Sequence, residues 1–147
     1  MVTLQDVNRE NWIDCAKLAL HDHQLGYVAN NVFTIAESKY YPHHQLRAIH
    51  DGERVVGMLA YCHEDEPIDL ELYWVFRLLI DRDHQRRGHG FDAMPLALHA
   101  IRQRGAKRVR TMHKPNNAAA AALYRAVGFE PIGTHVDGDT LLELRLA

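Results

Sequence analysis

The segment that most constrains the fold is an apolar run that leads, through a polar loop, into two glycines and a helix. Residues 70–80 are apolar or aromatic at most positions and predict a central strand. Residues 90–104 have the pattern of a helix that Gly105 ends. Between them, Gly88-His89-Gly90 lets main-chain N–H groups turn inward without a Cβ in the way. A strand, a glycine turn and a helix N-terminus together indicate a site for a phosphate or a pyrophosphate.

The remaining apolar patterns predict a mixed α/β chain. Thr34 is expected to cap the second helix with Glu37 as its capping-box partner, and Pro42 is expected to stop that helix. The other predicted elements are a strand over 2–7, a helix over 11–21, strands over 46–50 and 55–61 around Asp51-Gly52, a strand over 109–113, a helix over 117–127 ended by Gly128, and strands over 129–136 and 140–146 around Asp137-Gly138. This order predicts a mixed sheet, antiparallel at first and parallel where helices make the crossovers.

Length and composition bound the class of protein. The 147 residues suit a single domain over 1–147, and 47% hydrophobic with 24% charged residues is typical of a globular protein. No apolar run reaches the roughly 18 residues of a membrane helix, and the N-terminus lacks the apolar core of a signal peptide. Cys15 and Cys62 have neither CxxC spacing nor the density of a disulfide framework. We therefore expect a cytoplasmic chain with reduced thiols and no membrane partner.

Charge is unevenly distributed along the chain. The net charge of −2 argues against a general nucleic-acid binder. Residues 82–110 nevertheless hold eight Lys and Arg against two Asp, while residues 1–81 hold 13 acidic and six basic side chains. The basic block predicts an anionic ligand there, and the acidic half indicates a cationic one elsewhere. The alternative interpretation of the basic block is a charged surface that contacts only solvent.

A dinucleotide site is one interpretation of the glycine loop. Residues 88–93 fit the pattern G-x-G-x-x-A. That motif normally follows its strand directly, whereas seven residues separate strand and glycine here, and Arg108 stands where an acidic ribose ligand is expected. The spacing disfavours a dinucleotide-dependent oxidoreductase, which is kept as an alternative.

Two segments resemble the GNAT superfamily of N-acetyltransferases. Gln85-Arg86-Arg87-Gly88-His89-Gly90 resembles its acyl-CoA loop, Q/R-x-x-G-x-G/A, at every fixed position. Residues 117–129 resemble its N-x-x-A-x-x-L-Y-x-x-x-G-F segment. The resemblance covers residues 46–147 well and implies the GNAT fold, an α/β (α+β) domain with one mixed sheet of six to seven strands flanked by helices. Pro95 departs from the expected regularity of the helix after the loop.

The resemblance implies that acetyl-CoA is the co-substrate. Small side chains in the alanine run over 118–122 would let the cofactor approach the helix, and main-chain groups at the end of the central strand would hold the pantetheine. The cofactor-binding residues implied are Leu78, Leu79, Ile80, Gln85, Arg86, Arg87, Gly88, His89, Gly90, Asn117, Ala120 and Tyr124.

Catalysis is assigned to two side chains. By resemblance, Tyr124 protonates or hydrogen-bonds the departing CoA thiolate, which the chemistry favours because a donor meets the developing charge. A protonated amine must also lose a proton before it attacks. Glu71 is our candidate for base or relay, because period two places it on one strand face with Tyr73, Val75 and Arg77. The alternative to a catalytic role is that Tyr124 only packs in the core and that Glu71 is an ordinary surface residue of the strand.

The acceptor is predicted from charge and from a looser resemblance. Glu64-Asp65-Glu66 would suit a polycation, and residues 24–37 with 74–81 are similar to bacterial spermine/spermidine acetyltransferases, although Phe76 departs from their usual acidic residue. Tyr27, Glu37 and Glu71 are the predicted substrate-binding residues. Aminoglycosides, amino acids and protein N-termini stay open, as do a non-catalytic acyl-CoA binding domain and a homodimer. The 11 histidines show no HExxH or zinc-finger spacing, so no metal is expected.

Overall fold

The structure, a computed structural model, describes residues 1–146. Its strands are β1 (Val2–Asp6), β2 (Gln45–Asp51), β3 (Arg54–Asp65), β4 (Ile68–Ile80), β5 (Arg108–His113), β6 (Glu130–Thr134) and β7 (Thr140–Arg145). Its α-helices are α1 (Trp12–Lys17), α2 (Asn31–Ser38), α3 (His89–Gln103) and α4 (Ala118–Val127). The strands form one sheet in the order β1-β2-β3-β4-β5-β7-β6. The predicted mixed sheet flanked by helices is confirmed.

The sheet changes direction at one place. Strands β1 to β4 form an antiparallel meander. β4 and β5 are parallel, and α3 makes the crossover between them. β7 then pairs antiparallel with both β5 and β6, so the last hairpin folds back to place β7 inside the sheet. The parallel pair is therefore the only such pair among residues 1–146, and it lies beside the glycine loop.

Helices cover both faces of the sheet. On one face, α3 and α4 bury Met94, Ile101 and Tyr124 against strand residues such as Leu59 and Val109. On the other face, a smaller cluster joins α1 to β2 and β3; its buried members are Cys15, Leu46, Ala48, Met58 and Ala60. Burial of apolar surface on both faces is what holds the sheet in place.

The cap of α2 differs from the prediction. The helix begins at Asn31, and the Asn30 side chain accepts a hydrogen bond of 2.8 Å from the Phe33 N–H. Thr34 lies inside the helix, fully buried, with its hydroxyl donating to Asn30 O at 3.2 Å. The capping-box prediction was wrong because Asn30, one turn earlier, is an equally good cap. Pro42 follows the last residue of the helix by four positions and does not end it.

The other differences concern where elements end. α1 stops at Lys17 instead of residue 21, because Leu18 adopts an extended backbone with ψ of 137°. β3 continues to Asp65 instead of residue 61, and β4 begins at Ile68 instead of residue 70, so the acidic segment between the two predicted strands forms a hairpin. α3 runs through Pro95 without interruption, and loses only the hydrogen bond that this residue cannot donate.

The domain prediction covers residues 1–147, and residue 147 lies outside the described residues. No helix within residues 1–146 is both long and apolar enough to cross a membrane.

Candidate active site

A cleft opens where the two parallel strands separate. Only residues 72–74 of β4 pair with residues 108–110 of β5. One step further, the Thr111 hydroxyl donates to Val75 O at 2.9 Å and makes the last link between the strands. Beyond this point the strands enclose a cleft of about 1170 Å³. The cleft is large enough for an extended cofactor-sized ligand.

A β-bulge accompanies this separation. Ala60 of β3 faces Arg77, whereas Tyr61 faces Val75, so Phe76 is an extra residue in β4. Bulges bend a strand and increase its local twist. β4 therefore turns away from β5 at the residue where their pairing ends.

The bulge also changes which side chains share a face. Tyr73 and Val75 pack in the α3–α4 core, whereas Arg77 lies on the α2 side, with its guanidinium 3.4 Å from Glu37. The expectation that Glu71, Tyr73, Val75 and Arg77 share one face was wrong, because the extra residue shifts the alternation by one position.

The free edge of β4 offers main-chain groups to the cleft. The Asp81 N–H donates to Val56 O of β3 at 2.9 Å. Since hydrogen-bonding directions alternate along a strand, the N–H and C=O groups of Leu78 and Ile80 point away from β3. The Gln85 side chain donates to Ile80 O at 3.0 Å on that side. The Leu78 groups thus face the space between the strands.

The loop from Gln85 to Gly90 lines the same cleft with every residue except Arg87. Arg86 and Gly88 have positive φ of 64° and 80°. The first main-chain hydrogen bond of α3 runs from Asp92 N to Gly88 O at 2.9 Å. The N–H groups of His89 and Gly90 therefore have no carbonyl of the preceding turn to donate to, which is the usual state of a helix N-terminus. With the dipole of a 15-residue helix behind them, they favour an anion.

Gly90 serves helix packing as well. A Cβ there would lie 3.2 Å from Leu123 Cδ2 of α4. The missing side chain lets α3 and α4 approach each other beside the cleft.

Tyr124 lies between other rings at the base of the cleft. It is 5% exposed, its ring stacks on His113 with centroids 6.5 Å apart, and its other neighbour is Phe129 at 5.6 Å. Burial raises the pKa of its hydroxyl, and a hydrogen bond with the Thr111 side chain opposes this in part. The phenol therefore stays protonated and can act as a donor.

The start of α4 presents small side chains to the cleft. The Asn117 side chain caps the helix by accepting from Ala120 N at 3.1 Å. Its amide nitrogen is the part left to reach a ligand. Ala118, Ala119 and Ala120 line the cleft with no atoms beyond Cβ.

Most of the predicted cofactor residues come together. The residues that line the cleft are Leu78, Ile80, Gln85, Arg86, Gly88, His89, Gly90, Asn117, Ala120 and Tyr124. Leu79 does not line the cleft: it is 4% exposed and lies opposite Met58 of β3, on the sheet face that α1 covers. Arg87 lines a separate surface depression with Asp81 and Asp83.

The predicted acceptor residues are divided. Tyr27 lines the cleft, and its hydroxyl donates to Asn116 O at 3.4 Å across the opening. Glu37 does not line the cleft, and its carboxylate lies 3.4 Å from Arg77 and 3.7 Å from His44. Glu71 is also outside it: its side chain is 63% exposed, with Lys107 Nζ at 3.9 Å. The structure therefore brings neither glutamate to the reacting region.

His113 was missed by the sequence analysis. It is 9% exposed, lines the cleft and has Nδ1 2.8 Å from Lys114 O. A carbonyl only accepts, so in the neutral ring Nδ1 carries the proton and Nε2 keeps a lone pair. The available signal was its position as the last residue of a predicted parallel strand, since ligands of such sheets bind at these ends.

The lining of the cleft is mainly basic, although Arg82 and Arg86 are the only members of the basic block over 82–110 found on it among the described residues. The basic residues on its lining are Arg77, Arg82, Arg86 and Lys114, and the acidic one is Asp139. A phosphate-bearing ligand would meet an attractive field along most of the groove.

Comparison with known proteins assigns the family. Residues 5–129 match the family model described as Acetyltransferase (GNAT) family. The chain belongs to the GNAT acetyltransferase family. This finding, together with the sheet order, replaces the dinucleotide interpretation of the glycine loop.

Similar individual proteins are acetyltransferases of several kinds. Mycothiol acetyltransferase of Corynebacterium glutamicum (strain R) is 26% identical over 116 residues, which are 79% of this chain and 38% of that protein. The chain thus spans about two fifths of the length of the curated relatives it matches. Among solved structures, aminoglycoside acetyltransferase AAC(6')-Ib in complex with coenzyme A has a TM-score of 0.82 at 14% identity, with 99% of this chain and 95% of that one covered. Spermidine N-acetyltransferase from Vibrio cholerae, in complex with CoA and spermine, has a TM-score of 0.78 at 14% identity, with 98% and 95% covered. The structural similarities show the fold.

Proposed function

We propose that the chain is an acetyl-CoA-dependent N-acetyltransferase that acts by direct transfer in a ternary complex. One observation carries this proposal: the separation of β4 from β5 places the glycine loop, a free strand edge and the Tyr124 hydroxyl around one cleft. Family membership supports it independently.

Acetyl-CoA would lie along the cleft in two parts. Its pyrophosphate would accept hydrogen bonds from the main-chain amides of residues 88–90, with Arg86 adding positive charge beside them. Its pantetheine arm would extend the sheet by bonding the free main-chain groups of Leu78. Gln85 would act indirectly, because its amide already ties the loop to Ile80 and to Gln24, each at about 3 Å.

The acetyl transfer would use Tyr124 as the acid. The amine nitrogen attacks the thioester carbonyl, and the carbon–sulfur bond then breaks. Tyr124 gives its proton, or a hydrogen bond, to the departing sulfur. Its raised pKa supports this role, since an acid must still hold its proton when the thiolate leaves.

We assign removal of the amine proton to His113 in place of Glu71. His113 lines the cleft and its Nε2 can accept a proton, whereas Glu71 lies outside the cleft beside Lys107. His113→Gln should therefore lower kcat by about 10²-fold or more, within the usual range for a general base. Glu71→Gln should not. The opposite ranking of the two variants would return the role to Glu71.

The acceptor is an amine, and a polyamine is our first candidate. Trp74 lines the cleft, and its indole N–H donates to Glu64 Oε2 at 2.9 Å, so the acidic hairpin adjoins one end of the groove. The similarity to a spermidine N-acetyltransferase fold agrees with this choice. The basic side chains on the cleft would attract the phosphates of the cofactor and repel a polycation. A polyamine would therefore bind at the Trp74 end, where the acidic hairpin adjoins the cleft.

A panel of acceptors tests both levels of the proposal. CoA thiol released from acetyl-CoA would be measured with spermine, spermidine, kanamycin and a peptide with a free N-terminus. We expect turnover with at least one amine, and the highest kcat/KM with the two polyamines. Kanamycin or the peptide as the best substrate would remove the polyamine assignment. Acetyl-CoA binding without turnover of any amine would favour the non-catalytic acyl-CoA domain. The cytoplasmic location and the homodimer stay predictions from the sequence.

A further inference from the structure

A second group of chemically active side chains lies outside the cleft. His43 precedes β2, while His63 and Asp65 end β3, and none of the three lines the cleft. The three residues offer one ligand atom each, and these atoms lie within 4.8 Å of one another. A site here would be independent of the proposed transferase activity.

The geometry of the group approaches that of a metal site. His43 Nε2 is 2.9 Å from Asp65 Oδ2, and His63 Nδ1 is 3.6 Å from Asp65 Oδ1. His63 Nδ1 also lies 3.0 Å from the Glu64 carbonyl oxygen and donates to it, so metal binding through this nitrogen requires the other tautomer of the ring and loss of that hydrogen bond. In a tetrahedral site with bonds of about 2.0–2.1 Å, neighbouring ligand atoms are separated by about 3.4 Å. Small side-chain rotations would therefore bring the three donors around one ion.

Packing holds the two imidazoles side by side. The His43 and His63 rings stack with centroids 4.5 Å apart at an angle of 26°. The His43 and His63 side chains are 23% and 20% exposed, so neighbouring residues restrict the orientation of both rings. The Asp65 side chain is 47% exposed, and the site is open to solvent on that side. Such preorganised donors with an open side fit an ion that keeps water in its remaining position.

We propose that His43, His63 and Asp65 form a binding site for a divalent transition metal, with Zn²⁺ as the ion. Two imidazoles and one carboxylate are donors that suit zinc and do not suit Mg²⁺ or Ca²⁺, which take oxygen ligands. Coordination would replace the direct contact between His43 Nε2 and Asp65 Oδ2 and would fasten the turn before β2 to the end of β3.

A competing set shares His43. His44 and Cys62 also place a ligand atom each within 4.8 Å of it and of each other. Cys62 is only 8% exposed, whereas the Asp65 side chain is 47% exposed. An ion and its remaining water ligand can therefore reach the set with Asp65 directly from solvent, while the set with Cys62 is closed off by its neighbours.

Calorimetric titration of the full, untagged chain with ZnCl₂ tests the proposal. We expect one Zn²⁺ per chain, and at least a tenfold loss of affinity in His43→Ala and in Asp65→Asn. Zn²⁺ should also raise the thermal midpoint of the wild type by several degrees when in large excess over Kd. Circular dichroism would confirm that both variants are folded.

The chain provides a matched control on another turn. His135 Nδ1 lies 3.0 Å from Asp137 Oδ1, a pair much like His43 and Asp65, and neither residue belongs to a three-donor group within residues 1–146. His135→Ala should leave Zn²⁺ binding unchanged. Replacing Zn²⁺ by Co²⁺ should give tetrahedral absorption bands without a thiolate charge-transfer band. The proposal is overturned by absence of binding, by equal affinity in His43→Ala and wild type, or by a thiolate band that Cys62→Ser removes.

Discussion

Tyr124→Phe removes one hydroxyl from the centre of the proposed reaction. The ring, which packs between His113 and Phe129, is retained, so the shape of the cleft should not change. Thr111 loses its contact with the phenol but keeps the hydrogen bond to Val75 O at 2.9 Å. The substitution therefore leaves no buried hydroxyl without a partner.

The expected effects on stability and on catalysis differ widely. Loss of one neutral hydrogen bond reduces the free energy of unfolding by about 1 kcal/mol, or about 2–4 °C in Tm for a chain of this size. Loss of the donor to a developing thiolate reduces kcat by about 10²–10³-fold, which corresponds to about 2.7–4 kcal/mol in the transition state. The catalytic loss should thus exceed anything that destabilisation explains.

Steady-state kinetics with the best amine, together with the Kd for acetyl-CoA, would measure these effects. Tyr61→Phe is the matched control, because the Tyr61 hydroxyl lies in the same core with no hydrogen-bond partner among the described residues. That control should keep its kcat, and its Tm should not fall, because the substitution removes a buried hydroxyl that has no partner. Full kcat in Tyr124→Phe, or an equal loss in both variants, would refute the role of the phenol.

The same tyrosine predicts a pH dependence. Burial raises the pKa of Tyr124 above the ordinary value of 10.0. The folded state then holds a proton that the unfolded chain releases above pH 10, so this contribution to stability is complete below pH 10 and declines above it. kcat should likewise show no loss from tyrosine ionisation below pH 10, and a fall near pH 8 that Tyr124→Phe abolishes would contradict this.

Two other predictions concern the sheet and the thiols. A Cβ at Gly57 would lie 2.7 Å from Leu79 O, so Gly57→Ala should lower the free energy of unfolding, measured in urea, by about 1–3 kcal/mol. Gly133 has open space around it, so Gly133→Ala should change that free energy little. Equal effects of the two substitutions would contradict the close contact of β3 with β4. Burial raises the pKa of the Cys15 thiol from 9.0 to about 11 and that of the Cys62 thiol from 9.0 to about 12. The unfolded chain therefore loses these protons first, and the free energy of unfolding in urea should fall as pH rises above 9. An unchanged free energy of unfolding from pH 9 to 10.5 would count against buried thiols.

The sequence was informative where function depends on local chain geometry. The strand, glycine turn and helix of residues 70–104 were predicted from apolar pattern and helix signals, and residues 88–90 do line the cleft beside that strand. The alanine run and Tyr124 also reach the cleft, because positions spaced along one helix keep a fixed orientation.

Features that depend on sheet register were not predictable. Phe76 is one of many apolar residues in the strand, and only the pairing with β3 shows that it is the extra residue of a bulge. That bulge moved Arg77 to the α2 face, so the period-two grouping fails at Arg77, and Glu71 is outside the cleft for a different reason, its exposed position beside Lys107. His43 and His63 are 20 positions apart and meet only because β2 pairs with β3, which no local spacing reveals.

A crystal structure of the chain with acetyl-CoA tests the central claim most directly. We predict that the cofactor enters between β4 and β5, with its pyrophosphate within hydrogen-bond distance of the amides of residues 88–90 and its sulfur beside the Tyr124 hydroxyl. Cofactor bound in the depression lined by Asp81 and Arg87, or no cofactor at saturating concentration, would contradict the account.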